Sequence, residues 1–338
     1  MKSKSPQVSW FEYGRHGDAD VLTKHTETLP PPAPGEVSVE VLATGINHME
    51  VFLRNGHESA WADDGWPRRS GSDFAGIVLA TAPGTPGLRP GMEVVGHVRA
   101  GAHATHLNVP VSTLALKPRS VPWEVAGGLY LAGVTALDTL DDVRIGAGDT
   151  VVISAAAGGV GSIEAQLAKH RGAKVIGTCG DRNFDYLRQL GIIPVRYGDG
   201  IADRIRHAAH GPVTAFIDNF GKDGRAISDE LGVPADRYRS SADRREVELR
   251  LLSNEPDAVV HGTTQLTRLL DLAQRGAFRL LISALYPLDE LVDAYEELAA
   301  HHSRGKIVLA THPVTRYRTR RARDIHENMN GGYAAVRQ

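Results

Sequence analysis

Two hydrophobic rhythms divide the chain. Up to about residue 120, apolar positions come in short runs of period two. Gly35-Glu-Val-Ser-Val-Glu-Val-Leu-Ala43 predicts a half-buried strand, entered through the turn-forming Pro30–Gly35. Phe74–Ala80 and Glu93–Val98 predict further strands, and the Gly/Pro-rich 82–91 stretch between them reads as a loop. Short strands separated by Gly and Pro suggest a partly closed barrel. From about Pro122 strands and helices alternate. Strands are predicted at Thr150–Ser154, Lys174–Thr178, Pro194–Tyr197 and Val213–Asp218, with helices at Ser162–Arg171, Asp185–Gly191 and Ile201–Ala209. That order predicts an α/β unit with a doubly wound parallel sheet. Beyond it, Gln265–Arg275 reads as an amphipathic helix, Leu280–Ala284 as a strand, Pro287–Leu298 as a helix and Gly305–Ala310 as the last strong strand.

The stretch Thr150-Val-Val-Ile-Ser-Ala-Ala-Ala-Gly-Gly-Val-Gly161 carries the clearest chemistry. A buried strand, a turn of small residues and a helix follow one another, the order a dinucleotide needs. Gly158, Gly159 and Val160 bring backbone close to a pyrophosphate, and Gly161 lets the helix pack tightly. Ala156 stands where the usual pattern has its first glycine. At the end of the second strand an NAD site offers an acid to the ribose 2′-hydroxyl. This chain offers Thr178, Cys179 and Gly180, then Asp181, Arg182 and Asn183. A guanidinium there suits a 2′-phosphate, so NADPH is the expected cofactor. The competing reading makes Arg182 a solvated helix-start charge, and Asp181 beside it either pairs with Arg182 or repels a phosphate.

Composition narrows the class. The chain has 338 residues, enough for two domains, and a formal net charge of −2, with no global basic field for nucleic acid or membrane. One cysteine, Cys179, excludes an internal disulfide and a four-cysteine zinc site. No apolar signal core or membrane-length run is present, so a cytoplasmic protein is expected. The tail after Ala310 carries five arginines between Arg316 and Arg323 and reads as a solvated or docked arm rather than a nucleic-acid contact.

Five stretches together resemble the medium-chain dehydrogenase/reductases of the zinc-independent quinone oxidoreductase (zeta-crystallin-like) branch: Thr44-Gly-Ile-Asn-His48, Gly71-Ser-Asp-Phe-Ala-Gly76, Leu131-Ala-Gly-Val-Thr-Ala136, Ala155–Gly161 and Arg304-Gly-Lys-Ile-Val-Leu309. The resemblance covers about residues 8 to 310. It implies a GroES-like catalytic domain from residues 1–122 and 284–311, a Rossmann NADP-binding domain at 123–283, a tail at 312–338, and a homo-oligomer, commonly a dimer. Zinc relatives have a cysteine where this chain has Asn47 and Gly-His-Glu where it has Gly71-Ser-Asp73, so no metal is expected. Without a Lewis acid the substrate should already accept hydride readily, as a quinone or α,β-unsaturated carbonyl does.

The resemblance also assigns roles. Asn47 stands beside nicotinamide and substrate, as an oxygen-binding amide or a loop brace. Thr135 lies at the nicotinamide end, or is a back-bonded helix residue. His48 is a proton donor or a packed ring, and Tyr130 a weaker donor candidate or core. Thr178, Gly180, Arg182, Asn183 and Tyr197 surround the adenosine ribose and its 2′-phosphate; Tyr197 is otherwise a sheet-edge aromatic. Asn219 neighbours the adenosine or ribose. Lys306 reaches the cofactor or lies at the surface. The 57–69 stretch, with Trp61 and Trp66, shapes specificity or packs. Between Gly221 and Gly262 the family pattern lapses; Gly224–Gly232 reads as a helix and Arg237–Ser241 as a strand. Two other functions fit the same residues: a biosynthetic tailoring reductase or cyclase, and a non-redox NADPH-binding protein with a structural or RNA-binding role.

Overall fold

The computed structural model describes residues 6–57, 65–300 and 303–312. The chain forms two compact units, Met1–Tyr130 with Leu281–Gln338, and Leu131–Leu280. Trp61, part of the expected specificity loop, and the arginine tail lie outside the described residues.

The first unit opens with β1 (Gln7–Tyr13), β2 (Leu22–Thr28) and β3 (Glu36–Gly45), then α1 (His48–Arg54). Next come β4 (Arg68–Arg69), β5 (Asp73–Thr81), β6 (Glu93–His97), β7 (His106–Pro110) and β8 (Leu114–Leu116), followed by α2 (Trp123–Gly127). Strand β3 keeps the expected alternation over 36–43, with Val37, Val39, Val41 and Ala43 fully buried and Glu36, Glu40 and Leu42 half-buried; Ser38 alone departs there, being nearly buried. The reason is the strand's central place. It pairs with β5 and β7, and α2 packs so close that a Cβ on Gly127 would lie 2.6 Å from the Ala43 carbonyl.

The helix α3 (Tyr130–Asp142) leads into the second unit. There β9 (Thr150–Ile153), α4 (Gly159–His170), β10 (Lys174–Cys179), α5 (Phe184–Gln189), β11 (Ile193–Arg196), α6 (Ile201–Ala209) and β12 (Ala215–Ile217) realise the predicted alternation. Helix α7 (Gly224–Glu230) and the short β13 (Tyr238–Arg239) follow where the irregular region is read as helix and strand. The sheet is parallel, in the order β11-β10-β9-β12-β13. Two helices close the unit, α8 (Ser241–Leu251) and α9 (Pro256–Gln274). The latter starts nine residues before the predicted helix, because Pro256 sits at its first turn, where proline is favoured.

The chain then returns to the first unit through β14 (Ile282–Pro287), α10 (Leu291–Ala299) and β15 (Lys306–Ala310). Strand β15 pairs antiparallel with β3, matching Val308 to Gly45, and completes the order β14-β15-β3-β5-β6-β8. The pairing sets Lys306 beside the end of β3, 260 residues away in sequence from Ile46.

Candidate active site

Asn47 ends β3 and caps α1. Three residues on, the Glu50 carboxylate accepts from the Asn47 backbone N–H at 2.9 Å, the reciprocal arm of a capping box. The Asn47 amide is held from both sides. Its oxygen accepts from the Lys306 ammonium, which also donates to the Ile46 carbonyl at 2.7 Å. Its nitrogen faces Ser72 Oγ at 3.3 Å and Glu50 Oε1 at 3.4 Å. Both are long against the usual 2.9–3.0 Å or so, so these N–H groups are weakly engaged. Lys306 is only 5 % exposed, so the surface alternative for it is not realised.

Around this amide lies a buried polar network. Glu50 also accepts from Ser72 Oγ and from the Tyr295 hydroxyl, each at 2.8 Å. Tyr295 is fully buried, and desolvation, with Glu50 beside it, pushes its phenol well above the ordinary range. The His103 Nε2 faces the Gly45 carbonyl at 3.1 Å, a pure acceptor, so that nitrogen carries the proton and Nδ1 accepts from Ser70 Oγ at 2.9 Å. Burial holds His103 below the ordinary imidazole range, opposed by Glu50. His97 stacks on Tyr130 with centroids 4.0 Å apart, and burial lowers it to about 4. Tyr130 is thereby core. His48 is exposed at the first position of α1, not a packed ring.

In the second unit, Gly158, Gly159 and Val160 are half-buried while Ala156, Ala157 and Gly161 are buried, so the turn presents its backbone at that point. Gly158 caps α4 without a side-chain bond, leaving first-turn N–H groups for a ligand. A Cβ there would meet only the Ala155 carbonyl, at 3.3 Å. On Gly161 it would lie 2.6 Å from the same oxygen, so that glycine serves packing. Ala155 itself has φ 49°, the left-handed region non-glycine residues avoid.

Of the remaining predicted residues, Thr178, Gly180, Arg182, Asn183, Tyr197 and Asn219 collect at the carboxyl ends of these strands, and Thr135 lies on α3. Thr178 is buried at the end of β10, and the Tyr197 hydroxyl lies 3.3 Å from where a Cβ on Gly180 would stand. Arg182 is exposed and Asn183 half-buried in the turn after β10. Asp181 pairs with Arg196 at 3.5 Å, a partner the sequence reading did not consider. Asn219 donates to Glu164 Oε2 at 2.5 Å and to the Ser154 carbonyl at 3.3 Å, while its own oxygen is buried without a partner. Thr135 Oγ1 is likewise buried and unpartnered, so the back-bonded alternative is not realised. Two orphaned oxygens and an open glycine turn fit a dinucleotide. Glu164, which sequence reading missed, is fully buried on α4; desolvation raises it to about 7 against the Asn219 hydrogen bond.

Zinc fits poorly. It favours thiolate, imidazole and carboxylate ligands, whereas Asn47 and Ser72 offer an amide and a hydroxyl, with an ammonium already bound to the amide oxygen. Among the described residues no group of three or more His, Cys, Asp or Glu is placed to hold a metal ion. No described helix is long and apolar enough to cross a membrane.

A barrel-like unit with a doubly wound unit set into its sequence, and a glycine turn opening the latter, is the architecture of a dehydrogenase or reductase. Residues 33–119 match the family described as alcohol dehydrogenase GroES-like domain, and residues 199–309 that described as zinc-binding dehydrogenase. The chloroplast envelope quinone oxidoreductase homolog of Arabidopsis thaliana is 25 % identical over 88 % of this chain and 97 % of its own. Quinone oxidoreductase 1 of Escherichia coli strain K12 is 34 % identical over 50 % of this chain and 52 % of its own. The structure of E. coli quinone oxidoreductase complexed with NADPH superposes with a TM-score of 0.75 at 23 % identity, covering 89 % and 99 % of the two chains. The chain belongs to the medium-chain dehydrogenase/reductase superfamily, in its quinone oxidoreductase branch, and is an oxidoreductase of that type.

Proposed function

We propose that this protein is a zinc-independent, NADPH-dependent reductase that delivers hydride to a quinone or an α,β-unsaturated carbonyl compound. The observation that carries the reading is the Asn47 amide, fixed by Lys306 on its oxygen and only loosely engaged through its nitrogen. An amide so held can turn an N–H toward a substrate oxygen as that oxygen gains negative charge. Lys306 polarises the amide, which strengthens the N–H as a donor. Ser72 and Glu50 take the N–H groups back when no substrate is present.

Reduced nicotinamide, when bound, supplies the hydride. The backbone of Gly158, Gly159 and Val160 holds the pyrophosphate. Gly180, Arg182, Asn183 and the Tyr197 hydroxyl receive the ribose 2′-phosphate, with Thr178 beneath them. Asn219 and Thr135 offer their orphaned oxygens to cofactor donors. Conjugation in the acceptor spreads the arriving charge onto its oxygen, where Asn47 meets it. The test uses NADPH deuterated at the transferring position with 2-cyclohexenone. Deuterium at the β-carbon of the product is expected. Deuterium at the carbonyl carbon, or no transfer to any enone or quinone, contradicts the proposal.

A further inference from the structure

Tyr295 is fully buried on α10, and its hydroxyl has one proton to give and two neighbours to receive it. Ser70 Oγ lies 3.5 Å away, at the limit of a hydrogen bond, and gives its own proton to His103 Nδ1 at 2.9 Å. Glu50 Oε2 lies 2.8 Å away and, as a carboxylate oxygen, only accepts. The Tyr295 proton therefore points at Glu50. Desolvation and the Glu50 charge raise the phenol well above its ordinary range, so it stays a donor at every working pH. The ring is held as firmly as the hydroxyl: the Arg54 guanidinium lies over it at 4.4 Å, and the His103 ring meets it edge to face with centroids 5.9 Å apart.

A carboxylate offers about four acceptor sites. On Glu50, the Asn47 backbone N–H at 2.9 Å and the Tyr295 hydroxyl fill Oε2. The Ser72 hydroxyl takes Oε1 at 2.8 Å, nearer than Asp73 Oδ1 at 3.2 Å. The Asn47 side-chain nitrogen comes last, 3.4 Å from Oε1. Each donor draws charge out of the carboxylate and weakens its hold on the others. Without the phenol, Glu50 becomes a stronger acceptor with a vacant site, and the one donor still loosely held is the Asn47 amide.

We infer that Tyr295 is a positioning residue for hydride transfer: its hydroxyl occupies Glu50 so that the Asn47 amide keeps an N–H free for the substrate oxygen. The inference rests on the reductase reading above and gives a role to a side chain that the reading leaves without one. The Asn47 N–H is called upon only as the substrate oxygen gains charge, so the effect belongs to kcat rather than to binding.

The test sets Tyr295→Phe, which keeps the ring and its Arg54 contact, beside Asn47→Asp and the double variant, with NADPH and 2-cyclohexenone. Tyr295→Phe should lower kcat about tenfold, the worth of one charge-assisted hydrogen bond that the substrate oxygen must now displace. The KM for the enone and the NADPH dissociation constant should not change. In the Asn47→Asp background Tyr295→Phe should do nothing further, because the amide it acts through is gone. Nitrogen-15 labelling of asparagine adds a readout independent of turnover. The Asn47 side-chain amide protons, assigned by their loss in Asn47→Asp, should move downfield in Tyr295→Phe as the bond to Glu50 tightens. Replacing Tyr295 by 3-fluorotyrosine, a stronger donor, should move them upfield, and this protein decides the matter if Tyr295→Phe does not fold. An undiminished kcat in Tyr295→Phe while Asn47→Asp is inactive overturns the inference and leaves the reductase reading standing. So does an equal loss in both backgrounds, or an amide resonance that stays put or moves the wrong way. A wild-type protein that reduces neither enones nor quinones overturns the reductase reading, and the inference with it.

Discussion

Glu164 sits far from its ordinary state. Its folded pKa of about 7 lies above the ordinary 4.5 because burial penalises the ion. The folded state then holds a proton that the unfolded state has released, so stability is full below about pH 4.5 and falls as pH rises to about 7. The loss is of order 3 kcal/mol. Glu164→Gln keeps an oxygen for Asn219 and removes the charge. The variant should melt above the wild type at pH 8 and match it at pH 4; equal melting temperatures at both would contradict the burial argument. The comparison must be between the two proteins, because His97, held down to about 4 by desolvation, pulls the other way. Its contribution is present above pH 6.5 and lost as pH falls toward 4.

Asn47→Asp tests the amide in the same spirit. A carboxylate still receives Lys306 but offers no N–H, so kcat should fall by about 10²–10³ while the fold persists. An active Asp variant would leave Asn47 a brace only. At this scale the sequence was partly legible. The glycines of the turn and Asn47 stand in recognisable runs. The capping-box spacing from Asn47 to Glu50 was also present and went unread. Tyr295 and Lys306 reach the network from 245 and 259 residues away, through strand and helix packing that no local pattern records.

Among the elements, the glycine turn separates packing from binding. Gly161→Ala must displace backbone at Ala155 and should cost roughly 1–3 kcal/mol of stability. Gly158→Ala, at φ −79°, brings a methyl against one atom only, the Ala155 carbonyl oxygen at 3.3 Å, which needs to yield by a few tenths of an ångström, so the fold should hold while NADPH affinity drops on the order of tenfold. Melting curves and calorimetry on the two variants distinguish the roles; equal effects on both quantities would mean that the turn is structural throughout. The alternating strands and helices of the second unit were read nearly to the residue because each buries a continuous apolar run. Helix α1 and strands β1, β2, β7 and β8 were not. They are short or polar on one face: β2 buries only Leu22 of its seven residues.

At the scale of the whole chain, one unit is assembled from both ends around the other in sequence, so the Lys306 arm of the Asn47 network forms only when β15 has docked against β3. The five quoted stretches placed the chain in its family although its relatives share only about a quarter to a third of their residues with it. What they could not supply was the acceptor, because specificity depends on surfaces without a motif. The central claim is a metal-free site suited to conjugated acceptors. Its most direct test compares NADPH oxidation by chelator-dialysed protein with 2-cyclohexenone or 1,4-benzoquinone against cyclohexanone, before and after added zinc. The account predicts turnover of the conjugated acceptors alone, unchanged by zinc. Turnover of the saturated ketone restored by zinc would contradict it.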